Sequence, residues 1–268
     1  MPVSLCSAHW RSFARERRMA LSTTDFTTRL LLDAEIGPGM RVLDVGCGKG
    51  DVTWLLARLV GRDGAVVGVD QQARALACAG QREAPAGAAA PMFIPCDLYA
   101  LPDSLGLFDA IVGRRVLMYQ ADGVKALRAL ARHLLPGGVM VFQEHDATLA
   151  PACLEPFPLH RKAQQWLQRM IALEGADLHI GFNLQRLFSE AGLAVEDLRA
   201  ELLVQAPGQP YALGDIVRAC LPRIVALGVA TARQVGIETL QARLDAERQA
   251  TAAIYIGDVA FGVIGRKR

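Results

Sequence analysis

Three glycines at alternate positions directly follow an apolar segment near residue 45 and open what reads as a helix. They are Gly46, Gly48 and Gly50, and Asp44 precedes them. Glycine adopts positive φ angles and, because it has no Cβ, lets a ligand lie against the backbone. A helix that begins after such a turn directs its first unpaired N–H groups toward the same ligand. This segment therefore predicts a site for a ligand that is anionic or that needs close backbone contact.

The spacing of the glycines argues against a dinucleotide site. The dinucleotide fingerprint is G-x-G-x-x-G/A, and its third small residue packs the helix against the strand. Counted from Gly46, that third position is occupied by Asp51. We therefore expect that NAD does not bind.

Polar residues also follow other segments that read as buried strands. Parallel strands place their carboxyl ends at one edge of a sheet, and open α/β sheets bind ligands at that edge. We therefore take these residues as candidates for the same site. They are Asp70 and Gln71, Asp97 with the backbone amide of Leu98, Arg114, and Glu144 and His145.

Strand-like and helix-like segments alternate between residues 26 and 145. A strand, a crossover helix and a second strand over residues 41–70 predict a right-handed βαβ unit with parallel strands. The continued alternation predicts an α/β fold with a doubly wound sheet.

The order of these motifs resembles the class I S-adenosylmethionine-dependent methyltransferase family. The resemblance extends over roughly residues 36–145 and includes the glycine segment, the acidic end of the second strand, Asp97, Phe-Asp-Ala-Ile-Val at 108–112 and Leu-Pro-Gly-Gly at 135–138. It implies S-adenosyl-L-methionine as the cofactor. It also implies a Rossmann-like sheet of seven strands, mostly parallel, in which the last strand (255–264) pairs antiparallel with 195–204 at the sheet edge.

The resemblance assigns most of the candidates to parts of the cofactor. Asp70, with Gln71 beside it, is expected to hold the ribose hydroxyls, and Asp97 with the Leu98 amide to contact the adenine edge. Arg114 follows the fourth strand, where the backbone passes beneath the methionine part. Alternatives stay open: Asp70 as a helix N-cap, Asp97 as a turn residue and Arg114 as a surface charge.

Two side chains of the glycine segment also have expected roles. We expect Asp44 to organise the turn by accepting backbone N–H bonds. Cys47 lies between the glycines and is interpreted as a small residue that lines the cofactor site. It is not expected to be a nucleophile, because no histidine adjoins it in sequence and nothing local lowers the thiol pKa.

Glu144 and His145 are the candidate catalytic residues. Methyl transfer is an in-line displacement, to which positioning contributes roughly 7–11 kcal/mol, whereas a general base contributes about 10²–10⁴-fold. An imidazole near its unperturbed pKa of ~6.5 suits deprotonation of an acceptor at neutral pH. Neighbours on a strand point to opposite faces, so we expect only one of the two to enter the pocket. The same alternation argues against a metal site in the Glu-His-Asp run.

Two segments are predicted to form a helical cap over the site. One is residues 1–35, and the other is an insertion at 206–254 within a methyltransferase domain of residues 36–268. Insertions over the carboxyl edge of an α/β sheet usually hold substrate. The alternative is a packing or dimerisation element, which would make the protein a homodimer.

Composition limits the partners and the compartment. The 29 basic and 27 acidic residues give a net charge of +2, which provides no general attraction to nucleic acid or to an anionic membrane. Six scattered cysteines without a C-x-x-C pair argue against a disulfide scaffold and a structural zinc site. No apolar run approaches the ~20 residues of a membrane span. A cytoplasmic protein is expected.

Together, these patterns predict a methyltransferase that acts on a small-molecule acceptor, with secondary metabolism as a fitting context. Whether the acceptor atom is oxygen, nitrogen or carbon is left open. One rival is an S-adenosylmethionine-binding enzyme that catalyses a cyclisation or decarboxylation. The other is a non-catalytic binding protein.

Overall fold

The described residues form a single sheet of eight strands. This computed structural model describes residues 25–146, 148, 152–207, 209 and 211–268. The strands are β1 (Arg41–Val45), β2 (Ala65–Asp70), β3 (Met92–Pro95), β4 (Phe108–Arg114), β5 (Leu134–Asp146), β6 (Ala152–Cys153), β7 (Leu193–Gln205) and β8 (Tyr255–Lys267). Those at the centre of the sheet are rich in aliphatic residues that are buried on both faces, as in β1. Such strands are typical of a parallel sheet covered by helices.

The strand order confirms the predicted doubly wound, mostly parallel sheet. β3, β2, β1, β4 and β5 are parallel neighbours in that order. β8 runs antiparallel to both β5 and β7, so the reversed strand lies second from the edge and β7 forms the edge. The two-residue β6 pairs with β8 and is one short strand beyond the expected seven.

Helices cover both faces of the sheet and form a separate layer above its carboxyl edge. They are α1 (Phe26–Asp33), α2 (Asp51–Val60), α3 (Ala73–Gly80), α4 (Gly123–Ala131), α5 (Pro158–Leu173), α6 (Ile180–Glu190), α7 (Leu213–Ala226), α8 (Ala232–Val235) and α9 (Ile237–Gln249). α1 and α2 share one apolar core with one face of the sheet, and α4 and α6 share another core with the opposite face. The two cores hold the strands whose carboxyl ends form the site.

A third apolar core joins α5 to α7, α8 and α9, and we call these four helices the cap. Within the cap, Nδ1 of His160 on α5 lies 2.7 Å from Oε2 of Glu247 on α9. The other carboxylate oxygen of Glu247 accepts the backbone N–H of Leu159 at 2.8 Å. The insertion predicted at 206–254 thus supplies three helices of the cap, and the structure adds α5 from an earlier part of the chain.

Only the end of the N-terminal segment 1–35, which is predicted to belong to the cap, is described. Residues 1–24 lie outside the described residues. The described part, α1, packs beneath the sheet, where Leu30 and Phe26 lie over Gly262 of β8. Asp25 is the N-cap of this helix and accepts the backbone N–H groups of Thr27 and Thr28.

Two other helix boundaries differ from the sequence-based expectation. Apolar periodicity predicts a helix over residues 124–135, but the helix ends at Ala131, because Leu134 already pairs with Phe108 in the sheet. Asn183 is predicted as the N-cap of a helix over residues 184–191, but the helix begins at Ile180, and the Asn183 amide donates to Oδ2 of Asp177 at 2.8 Å. Strand pairing decides the first boundary, and neither boundary is revealed by apolar periodicity.

Within the described ranges, no helix combines the length and the apolar character needed to cross a membrane.

Candidate functional site

The glycine segment forms a tight loop between β1 and α2. Gly46, Gly48 and Gly50 have φ angles of +63°, +53° and +80°. A Cβ on Gly46 would lie 2.6 Å from Val116 Cγ2, and one on Gly50 would lie 3.0 Å from Ala79 Cβ. No atom lies within 4 Å of the corresponding position at Gly48. Two of the glycines are therefore needed for packing, whereas Gly48 keeps the loop open toward the site.

Asp44 is buried at the end of β1 and connects the strand to the next helix. Its Oδ2 accepts a hydrogen bond of 2.5 Å from the hydroxyl of Thr53, in the first turn of α2. Burial raises the pKa of Asp44 to about 7, while the Thr53 hydroxyl and the charge of Arg114 act in the opposite direction. Asp44 was predicted to organise the turn by accepting backbone N–H bonds. In the structure its main hydrogen bond is instead to the Thr53 side chain.

Asp70 is half-buried at the end of β2 and joins the glycine loop to the following turn. One carboxylate oxygen accepts the backbone N–H of Gly48 at 2.9 Å, and the other accepts that of Gln72 at 2.8 Å. Gln72, not Asp70, is the N-cap of α3. Each oxygen retains a further lone pair that a ligand hydroxyl can use.

A pocket of about 350 Å³ opens beside the glycine loop. This volume is within the range of ~300–1,000 Å³ that is usual for small-molecule sites. The structure brings six of the predicted residues to its wall. They are Asp44, Gly46, Cys47, Gly48, Arg114 and His145.

Cys47 and Arg114 have different environments in this pocket. Burial raises the pKa of the Cys47 thiol to about 12, and the nearby charges of Asp44 and Asp70 act in the same direction. The thiol therefore stays protonated and lines the pocket without acting as a nucleophile. The guanidinium of Arg114 lies 3.9 Å from the carboxylate of Asp51, which also lines the pocket, so it faces the glycine loop.

Five predicted cofactor residues do not contribute to the wall of this pocket. Gly50 is the N-cap of α2, and Asp70 binds the Gly48 amide from behind the wall. Gln71 and Asp97 are exposed, and Leu98 is buried in the core of the sheet. Asp97 accepts the backbone N–H of Tyr99 at 2.9 Å and caps a short 3₁₀ turn. Their contacts with ribose and adenine stay predictions.

Replacing Asp70 by alanine is expected to raise the dissociation constant for S-adenosylhomocysteine by about 10–100-fold. Hydrogen bonds to charged groups contribute about 1.5–3 kcal/mol each, and Asp70 also fixes the Gly48 amide. Titration calorimetry measures the change. Asp63→Ala, an exposed aspartate in the turn before β2, is the matched control. Equal dissociation constants for Asp70→Ala and the wild type would contradict the ribose contact.

Glu144 points away from the pockets, which corrects the prediction that it faces the acceptor. Its side chain is fully buried, and Oε1 accepts the backbone N–H groups of Val116 at 3.0 Å and Leu117 at 2.8 Å. Burial raises the pKa of Glu144 to about 7, although these backbone hydrogen bonds lower it. Glu144 therefore holds the chain that leaves β4.

His145 takes the opposite side of β5 and reaches the wall of the glycine-loop pocket. Both of its ring nitrogens lie 3.3 Å from Nη2 of Arg115. Burial lowers the pKa of His145 to about 3, and the charges of Arg115 and Arg114 act in the same direction. The imidazole is therefore neutral and weakly basic at neutral pH, in contrast to the expected value near 6.5.

A second, smaller pocket of about 120 Å³ adjoins the first and lies between the carboxyl end of β5 and the cap. His145 and Arg115 line both pockets. Most of the remaining wall is apolar and comes from the loop after β4, from α5 and from α7. These apolar residues are Met118, Leu167, Met170, Ile171, Leu213 and Ile216.

Sequence reasoning missed Arg115 and the wall contributed by α5. Arg115 follows Arg114 and carries no motif of its own. The conformation that sets it apart, a φ of +58° on a non-glycine residue, has no signature in the sequence. The apolar face of α5 was visible in the sequence, but only the fold shows that it faces a pocket.

Comparison with known proteins places these features in a family. A protein family described as "Methyltransferase domain" matches residues 36–192. The 2-phytyl-1,4-naphtoquinone methyltransferase of Thermosynechococcus vestitus is 40% identical over 134 residues, which are 49% of this chain and 55% of that protein. The chain spans about half the length of the first curated relatives that it matches.

Solved structures share the architecture. The YcgJ protein from Bacillus subtilis gives a TM-score of 0.56 at 21% identity, over 90% of this chain and 97% of that one. The cyclase SpnF gives a TM-score of 0.52 at 20% identity, over 90% of this chain and 80% of that one. At these identities the likeness shows the fold alone.

Proposed function

Because the chain belongs to the methyltransferase-domain family, we propose that it transfers a methyl group from S-adenosyl-L-methionine to a small-molecule acceptor. One observation carries this proposal: the glycine-loop pocket and the apolar pocket meet at Arg115 and His145. A donor in the first pocket and an acceptor in the second are then held next to each other. In-line placement of two reactants contributes roughly 7–11 kcal/mol to such a reaction.

The residues of the glycine-loop pocket fit this cofactor. Gly48 leaves open space where a side chain would lie, and Asp70 has lone pairs for ribose hydroxyls. Gly50, the N-cap of α2, has no side chain that could occupy the first N–H groups of the helix, although the N–H group of Thr53 also bonds to Asp44. Arg114 would hold the carboxylate of the methionine part. The cofactor, when bound, supplies an electrophilic methyl group.

The residues at the boundary of the pockets restrict the acceptor chemistry. Glu144 does not reach either pocket, so the prediction that turnover needs Glu144 or His145 now rests on His145. His145 is neutral, and its expected role is to orient a neighbouring group rather than to remove a proton. Catalysis then depends mainly on positioning.

The wall of the second pocket supports an acceptor with an apolar body. The related enzyme from Thermosynechococcus vestitus bears the name of a naphthoquinone methyltransferase, and an apolar ring compound suits the side chains found here. Absence of nucleic-acid partners, a cytoplasmic location, a homodimer and the absence of a metal stay predictions from the sequence.

An assay with methyl-labelled S-adenosylmethionine and fractionated metabolites tests the proposal. We expect label to appear in a small molecule and S-adenosylhomocysteine to accumulate in equal amount. Turnover of a metabolite without consumption of the donor would identify the rival enzyme class of cyclisation or decarboxylation. Cofactor binding without any turnover would favour a binding protein.

A further inference from the structure

Arg115 has an unusual backbone and an unusual position. It is one of two non-glycine residues with positive φ among those the structure describes, and arginine has no special preference for that conformation. Such a conformation costs about 1–3 kcal/mol and persists where surrounding structure fixes it. Here its N–H donates to the carbonyl of Gln143 at 2.9 Å, and its guanidinium contacts His145. The strained residue thus places a cation at the boundary of the two pockets.

The charge of Arg115 is not balanced by an ion pair with any residue that the structure describes. By contrast, Arg223, on the same pocket wall, pairs with Glu174, and Arg114 faces Asp51. The charge of Arg115 lowers the pKa of the buried Glu144 carboxyl group, but Oε1 of Glu144 is already bound to two backbone N–H groups. A guanidinium cation in a partly apolar pocket favours an anionic ligand.

The side chains around Arg115 do not supply a strong base. His145 is neutral and weakly basic, and burial raises the pKa of the Cys220 thiol on α7, so it stays protonated. Asp146 also lines this pocket; its Oδ1 accepts the backbone N–H of Thr148 at 2.9 Å, and its buried Oδ2 has no hydrogen-bond partner among the described residues. The cation of Arg115 therefore favours the ionised form of an acceptor hydroxyl without transfer of the proton to His145 or Cys220.

On the basis of the proposed function, we propose that Arg115 binds the ionised hydroxyl of an apolar acceptor, a phenolate or an enolate. The proton of the hydroxyl passes to solvent. The electron pair of the oxyanion, or of the carbon conjugated with it, forms the new bond to the methyl carbon. The carbon–sulfur bond breaks, and its electron pair stays on sulfur. A cation within ~4–6 Å lowers an acidic pKa by about 1–3 units, so a phenol with an ordinary pKa near ~10 is ionised substantially at a weakly alkaline pH.

The test uses 4-nitrophenol, whose phenolate absorbs visible light while its neutral form does not. The wild type is first shown by calorimetry to bind S-adenosylhomocysteine. With that ligand present, 4-nitrophenol is titrated with pH in the presence of excess protein. We expect the midpoint of ionisation of the bound probe to lie at least about one pH unit below that of the free probe, a tenfold preference for the phenolate. The neutral analogue 4-nitroanisole is expected to bind at least about tenfold more weakly than the phenolate.

The variants separate the role of Arg115 from other roles. Arg115→Gln is expected to remove the shift of the midpoint, and Arg115→Lys to retain part of it, because a point charge persists there. Arg218→Gln, on the exposed side of α7, is the matched control and should keep the full shift.

The alternative results are equally distinct. If the wild type binds S-adenosylhomocysteine but fails to bind the probe, or binds it with an unchanged midpoint, the role of Arg115 is overturned. Either result leaves the proposed function standing. A loss of S-adenosylhomocysteine affinity in Arg115→Gln with an unchanged probe midpoint would assign the cation to the cofactor and also overturn the proposal. If the wild type does not bind S-adenosylhomocysteine, both the proposed function and this inference are contradicted.

Discussion

Replacing Gly48 by leucine is expected to weaken S-adenosylhomocysteine binding by at least about 100-fold, or about 2.8 kcal/mol. The direction in which a side chain would leave Gly48 holds no protein atom within 4 Å, and Gly48 lines the glycine-loop pocket. A leucine side chain would therefore occupy space that the cofactor needs. The left-handed backbone, with a φ of +53°, costs a further ~1–2 kcal/mol of stability for a non-glycine residue. Calorimetry measures the affinity, and urea unfolding measures the stability.

Gly137 provides a matched control for this substitution. It also has positive φ (+74°) and no atom within 4 Å of its missing Cβ, but it lies at the start of β5, away from the site. Gly137→Leu should show a similar loss of stability and unchanged affinity. Equal affinities for both variants and the wild type would show that the open face of Gly48 is not part of the cofactor site.

The second large effect concerns stability, and Glu144 is its origin. Burial raises the pKa of this carboxyl group in the folded protein from 4.5 to about 7. Below pH ~4.5 the group is protonated in both folded and unfolded chains, so it makes no pH-dependent contribution to the free energy of unfolding. Between these two values the unfolded chain releases its proton while the folded chain retains it, so stability falls as pH rises. Above pH ~7 the ionised group destabilises the fold by about 3 kcal/mol, at 1.36 kcal/mol per pKa unit.

Glu144→Gln is expected to remove this contribution. The amide oxygen of the new side chain can still accept the N–H groups of Val116 and Leu117, and the side chain carries no charge at any pH. The free energy of unfolding, measured in urea from pH 4.5 to pH 8, should therefore fall less steeply in the variant. Some dependence should remain, because burial also raises the pKa of Asp44. Glu83→Gln, at an exposed position, is the control. A profile for Glu144→Gln that coincides with the wild type would contradict a buried carboxyl group with a raised pKa.

Glu144 also shows where sequence reasoning succeeds and where it ends. Local patterns predicted the order of strands and helices and the open glycine loop, because apolar periodicity and glycine spacing are properties of adjacent residues. Alternation along β5 correctly indicated that Glu144 and His145 point to opposite sides. Which of them faces the pocket depends on the loop after β4, 28 residues earlier in the chain, whose N–H groups Glu144 binds.

Similar long-range effects account for the other differences. The pKa of His145 depends on burial and on Arg115, and the strained conformation of Arg115 depends on a hydrogen bond to β5. The cap was predicted from residues 1–35 and the insertion at 206–254, but its core also needs α5, which precedes β7 in the chain. Interactions of this kind involve residues far apart in sequence, and no local pattern records them.

The cap makes an unequal contribution to the two pockets, which has a kinetic consequence. Of the described residues, none in α5, α7, α8 or α9 lines the glycine-loop pocket, whereas α5 and α7 form much of the second pocket. The cap has an apolar core of its own, from which only Ile171 of α5 also packs against a core of the sheet, so we expect it to open as a unit while the sheet stays intact. If only closed molecules bind the acceptor, its apparent dissociation constant equals the intrinsic constant divided by the closed fraction. The dissociation constant of the cofactor is unchanged by opening. If the proposed acceptor binds in the second pocket, we expect an ordered association in which the cofactor binds to either state and the acceptor is retained only after closure.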